Sequence, residues 1–253
     1  MNNPLSLLFP AINVAVTGAF AGVVLRQYLQ RHKLYQLYWS IALLMAFAAT
    51  LAYVLMIVVQ PTSTAGIILF RLYYIFGASL MPSWLGLGSM ALVSSPAVTR
   101  NCFVTLCWLS AVAVVLVGVA GIDLHQLSQI EGTPGAGILQ PQNGPWLFAL
   151  IILNSLGVLA VVGVAVYSGW KLIARQGPSN LLWGNILILA GDLINAAAGS
   201  GARLGIENIF WLIMTVGWVV FFIGVVFASR PHRRAVPPPQ ERPEEKLQTV
   251  PGS

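Results

Sequence analysis

Seven long apolar runs, separated by short polar connections, dominate the pattern of this chain. They cover about residues 5–25, 38–59, 67–93, 103–122, 146–170, 181–203 and 208–228. A hydrocarbon layer about 30 Å thick takes roughly 20 helical residues to cross, and each run is long enough. None alternates in the manner of a barrel wall, so the runs predict helices, in which each segment satisfies its own backbone groups. The fold class expected is all-α: a polytopic membrane protein whose seven-transmembrane-helix bundle occupies residues 1–229. No basic leader and no small-residue cleavage site accompany the first run, so it is expected to stay in the mature protein. Residues 230–253 combine charge with six prolines, among them Pro237, Pro238 and Pro239. Such a segment cannot bury a core and is predicted to be a disordered tail. The one long connection, 123–145, is rich in Gly and Pro and is expected to be partly ordered across the helix ends.

Composition removes the competing classes. Hydrophobic residues make up 57% of the chain and charged ones 8%, whereas a soluble domain carries roughly a quarter charged residues. The net charge of +6 does not mark a nucleic-acid surface, because the basic residues stand at the ends of apolar runs without aromatic platforms between them. They mark topology instead. Arg26, Arg31, Lys33, Arg100, Lys171, Arg175, Arg230, Arg233, Arg234, Arg242 and Lys246 fall on one side, and only Arg71 and Arg203 on the other. By the positive-inside rule the N-terminus is expected outside and the C-terminus in the cytoplasm, in a bacterial cytoplasmic membrane. Cys102 and Cys107 stand five residues apart at the start of one run and read as small buried side chains rather than a disulfide framework.

Several chemistries lack their residues. His32, His125 and His232 all stand outside the runs, so no intramembrane haem has a histidine ligand. Lysine is absent from the run interiors, which leaves retinal no Schiff-base partner. Neither a His-Glu-x-x-His zinc motif nor a Gly-x-Ser-x-Gly nucleophile turn occurs. No cofactor, metal or enzymatic activity is expected.

Asp192 is the most informative side chain, the one acidic residue deep inside a run. A charge at that depth is costly and belongs in the bundle interior. Asn185, Asp192, Asn195 and Gly199 share one helical stripe. Two readings stand for it: a proton, ion or ligand site, or a hydrogen-bonded clamp between helices. Arg71 lies about one turn inside the outer end of the third run and is expected either to snorkel to the interface or to reach Asp192, with snorkelling favoured. Tyr73, Tyr74, Ser79 and Ser83 follow it, and Pro82 is expected to kink that helix near its middle. Tyr74 and Arg71 join Asp192, Asn195 and Asn185 as candidate ligand- or ion-binding residues. Gly18 with Gly22, and Gly201 with Gly205, allow close helix approach within one chain or in a homo-oligomer. Trp39, Trp146, Trp170, Trp183 and Trp211 lie near the membrane edges, whereas Trp84, Trp108 and Trp218 are expected to pack in the core.

The segment from Arg71 through Tyr73-Tyr74, Gly77-Ala78 and Pro82-Ser83-Trp84-Leu85 to Gly88 resembles the third span of the seven-helix sensor regions of bacterial histidine kinases. Tyr38-Trp39 and Asn143-Gly144-Pro145-Trp146 are also similar, as is the order of spans over about residues 5–228. Other seven-helix bacterial membrane proteins carry a similar pattern. The resemblance implies a receptor-like or sensor-like bundle that signals through a separate cytoplasmic protein; it supplies no ligand residues. The rival expectations are a small transporter or permease component with a midplane site at Asp192, and a structural subunit of a membrane complex.

Overall fold

The structure, a computed structural model, describes residues 7–130, 132–175 and 179–229; the proline-rich tail lies outside the described residues. Seven helices are long and apolar enough to cross a membrane: α1 (Leu8–Arg31), α2 (Leu34–Val58), α3 (Thr64–Val93), α4 (Pro96–Val119), α5 (Pro145–Ala174), α6 (Ser179–Arg203) and α7 (Phe210–Ser229). The chain is of the all-α class, and its seven long apolar helices suit a multi-pass membrane protein. Hydropathy places the boundaries within a turn or two, and the differences have local causes. Helix α4 begins seven residues before its apolar run because Ser95 caps it, accepting a hydrogen bond from the Val98 N–H at 3.5 Å, with Pro96 in the first turn. Helix α1 continues past its run to Arg31 and stops at His32, whose left-handed backbone (φ 49°) lets its N–H reach the Tyr28 carbonyl.

Six of the helices close into a ring. Around it the neighbours run α1, α2, α3, α5, α6, α7 and back to α1, and α4 packs outside against α3 and α5. This peripheral seat corrects the expectation for Trp108, which is 72% exposed on α4 rather than in the core.

Glycine sets how closely the ring helices approach. Along the α6/α7 contact, a methyl group at Gly191 would lie 2.6 Å from the Phe221 nitrogen and 2.8 Å from the Gly217 carbonyl oxygen. At Gly184 it would lie 3.0 Å from the Gly224 carbonyl oxygen. Gly184 and Gly191 on one helix and Gly217 and Gly224 on the other repeat every seven residues, so two helices meet backbone to backbone along this seam. A second close contact joins α3 to α5, where a methyl at Gly86 would lie 2.8 Å from the Gly157 carbonyl oxygen. The pairs singled out by sequence spacing are not these. Gly22 and Gly205 have nothing within 4 Å, and Gly18 lies under the Phe47 ring.

The connection after α4 covers one end of the ring. Strands β1 (Gly121–Ile122) and β2 (Leu139–Gln140) pair antiparallel with Gly121 opposite Gln140, and a single helical turn, Leu124–Leu127, lies between them. Leu127, Ile130, Ile138 and Leu139 are all fully buried in the same core as Phe70 and Tyr73. The Tyr53 hydroxyl donates to the Ile130 and Thr133 carbonyls at 3.0 and 2.9 Å, and the Tyr73 hydroxyl donates to that of Pro134 at 3.2 Å. The expected partial order is thus a packed cap, held by apolar burial and by tyrosines reaching up from α2 and α3.

The seam makes a sharp prediction. Gly191→Ala should lower stability by about 1–3 kcal/mol, the range for overpacking, whereas Gly22→Ala should be neutral or slightly stabilising. Thermal unfolding of the detergent-solubilised variants checks this, and equal melting temperatures would contradict the backbone contact.

Candidate functional site

The third helix is shaped by one missing donor. Pro82 has no N–H and its ring crowds the carbonyl four residues back, that of Ala78. Residues Tyr74–Leu80 widen into a π-helical segment immediately before it, the kind of local unwinding that proline provokes. The freed Ala78 carbonyl accepts a hydrogen bond from Asn154 Nδ2 of α5 at 2.6 Å; the same nitrogen donates to the Leu150 carbonyl at 2.9 Å. The expected kink is therefore a π-helical widening latched from the neighbouring helix. Sequence pattern alone did not single out Asn154, although it is the one amide side chain in its apolar run.

Within the ring, at its capped end, lies a cavity of about 610 Å³, in the size range of small-molecule sites. Tyr73, Tyr74, Gly77 and Pro82 of α3 line one side, and Asn154 lies beside them. Asp192, Asn195 and Arg203 of α6 line the opposite side, with Trp211 and Trp218 of α7. Pro134 and Ala136 of the cap form the roof. The cavity is not sealed. Ile151, Ser155 and Leu159 line it from α5 at four-residue spacing, and Leu159 is 67% exposed on the outside of the bundle. Gly199 and Ser200 face them from α6, and the space beside Gly199 is empty to 4 Å. All five of these lining residues are exposed, so the cavity opens laterally between α5 and α6.

Asp192 is buried on this wall, only 8% exposed, and its Oδ2 has no hydrogen-bond partner. No ion pair compensates it among the described residues; the cation that shares its cavity, Arg203, lies eleven residues further along the same helix, about 16 Å at 1.5 Å per residue. Asn195 Oδ1 is also unpaired and packs onto Gly217. Trp211 Nε1, nearer the cap, is an unpaired donor. The contrast with the hydroxyls is instructive. Thr17, Ser40, Thr50 and Thr215 each donate to the carbonyl four residues back in their own helix. These four hydroxyls are satisfied within their own helices, whereas Ser79 Oγ and the carboxyl and amide oxygens on the cavity wall are not.

Of the five candidate residues, Asp192, Asn195 and Tyr74 meet on this cavity. Asn185 does not; it is half-buried, about two turns below Asp192 and away from the cavity wall. Arg71 neither reaches Asp192 nor lies idle at the interface. Its guanidinium donates to the carbonyls of Val117 at 2.6 Å, Gly118 at 2.5 Å and Ala120 at 2.9 Å. Those are carbonyls that the end of α4 leaves without helical partners, so Arg71 is a helix cap supplied from α3. Three tryptophans expected at the membrane edge are core residues; Trp39 is buried and donates to the Ser89 hydroxyl at 3.3 Å. Trp146 is 2% exposed, donates to the Pro141 carbonyl at 2.9 Å and meets Tyr74 edge-on. Trp211 packs against Tyr53 with ring centres 4.5 Å apart.

The latch predicts a coupling. Asn154→Ala should cost about 1–2 kcal/mol, as interhelical hydrogen bonds in membranes do. In a Pro82→Ala background, where residue 82 regains an N–H for Ala78, the same change should cost measurably less. A double-mutant cycle on thermal stability reads this directly, and strict additivity would contradict it.

Compared with known proteins, the chain matches no protein-family model, and no curated protein or solved structure is significantly similar to it.

Proposed function

We propose that this protein is a receptor-like bundle of the bacterial cytoplasmic membrane that binds a small amphiphilic ligand in the cavity and passes the bound state to a separate cytoplasmic protein. The N-terminus and the cap are assigned to the outside and the C-terminus to the cytoplasm, following the eleven-to-two division of basic residues. The observation that carries the reading is a cavity of ligand size with an unpartnered buried carboxyl on its wall. Its walls are mostly apolar and aromatic with a few convergent polar groups, the composition typical of ligand sites. The π-helical segment of α3 also lines the cavity, and such segments recur at functional sites.

A transport site would need a path to the other end of the bundle. Toward that end Val24, Trp39, Leu43, Ile188 and Val225 pack into one buried cluster, which favours one-sided binding over passage. A clamp role for Asp192 would call for a partner on its oxygens, and Oδ2 has none.

Native mass spectrometry of the protein purified in a neutral maltoside tests the reading. A small molecule should remain bound to the wild type and to Val115→Trp, which alters the exposed outer face of α4. It should be lost from Gly199→Trp, which fills the empty space beside α6. Retention by Gly199→Trp, or no bound molecule and no stabilising compound for the wild type, would overturn it. A reporter fused after Arg234 should work only in the cytoplasm, and activity outside would reverse the assigned orientation.

A further inference from the structure

Resting on that reading of the cavity, we infer that its ligand is a single-chain amphiphile with a cationic amine head, seated against Asp192 and Trp218, with its tail leaving between α5 and α6. Helix register brings the two head-group partners together. Asn195 packs onto Gly217, and Gly191 lies against Gly217 and Phe221, so the antiparallel seam brings Trp218 level with Asp192. Both line the cavity. A buried carboxylate with an unpartnered oxygen is costly alone and attracts a charge-assisted donor. An indole at the same depth attracts a cation to its face. Tyr74 is buried beside the same space, and neither its hydroxyl nor that of any other cavity tyrosine supplies a positive charge.

An inorganic cation fits poorly. Hard cations take six or more oxygen ligands, whereas this wall offers few oxygens among many apolar and aromatic groups. A soluble ion arriving through the cap would also pass the Arg203 guanidinium first. An amine carried on an alkyl chain avoids both difficulties. It arrives through the lateral opening lined by Ile151, Leu159, Gly199 and Ser200, where the apolar and small side chains suit a tail and the head is drawn inward by Asp192. Arg203 and the unpaired Trp211 Nε1, near the cap, are donors that do not compete for an ammonium.

The test uses the full chain in neutral maltoside and three twelve-carbon probes that differ in the head: dodecyltrimethylammonium, dodecanol and dodecyl sulfate. The concentration that half-saturates the rise in melting temperature ranks them. The ammonium should bind about tenfold more tightly than the alcohol, the order contributed by one interaction with a charged partner, and the sulfate more weakly than either. Asp192→Asn should erase the preference for the ammonium while keeping the alcohol, and Gly199→Trp should lose all three. Equal binding of ammonium and alcohol by the wild type, a comparison that needs no variant to fold, would overturn the amine assignment while leaving the cavity a ligand site. An undiminished preference for the ammonium in Asp192→Asn would overturn it equally. If none of the probes binds and no molecule co-purifies, the ligand-binding reading falls together with this inference.

Discussion

Backbone-to-backbone contact at glycine determines the shape of this bundle. Where Gly184, Gly191, Gly217 and Gly224 remove side chains, α6 and α7 lie against each other along most of their length. Where Gly86 and Gly157 do the same, α3 and α5 are drawn together. In lipid there is no hydrophobic drive between apolar helices, so such close packing is a principal source of association. Helices α5 and α6 have no comparable seam at the capped end, since Gly199 faces open space. Each is committed to its other neighbour, and the gap between them becomes the mouth of the cavity.

Polar satisfaction separates the supporting parts of the structure from the site. Backbone groups freed by irregularity find partners supplied from elsewhere: Asn154 for the carbonyl released by Pro82, Arg71 for the end of α4, Tyr53 and Tyr73 for the cap. In a bilayer such partners are a requirement for non-helical backbone at depth. Against that thoroughness, the unpaired oxygens of Asp192 and Asn195 beside an open space stand out. Other buried polar groups, Asn13 and Gln36 among them, also lack partners, but they do not line this cavity. What makes Asp192 a site is the combination of an unpartnered carboxyl oxygen, a void and a route in.

The helices were legible because a membrane span is written as a single local property, continuous apolarity, and Asp192 was legible because it breaks that property. The stripe through Asp192, Asn195 and Gly199 also translates directly from helical periodicity. What periodicity cannot carry is which neighbour a stripe faces. Asn185 shares the sequence spacing but lies below the cavity, and Arg71 is held by the end of α4, a partner 46 to 49 residues away. The glycines mislead for the same reason: Gly18 and Gly22 satisfy the short-spacing rule, while the glycines of the α6/α7 seam follow a seven-residue repeat on two different helices and Gly86 meets Gly157 between α3 and α5. Tryptophans near the ends of runs were assigned to the interface because the cap that buries Trp146 and lies above Trp211 is made of residues with no strong pattern of their own.

The ligand reading depends above all on the cavity opening sideways, between α5 and α6 at the capped end. With Cys102 and Cys107 replaced by alanine, a nitroxide attached at Gly199→Cys in lipid nanodiscs reads this directly through its collisions with oxygen, which concentrates in hydrocarbon. Strong oxygen accessibility there, against little for a label at Ala198→Cys, whose parent side chain is 2% exposed on the packed side of α6, is the predicted result. Equal and low accessibility at both positions would mean that α5 and α6 close against each other, and the cavity would have no lateral mouth.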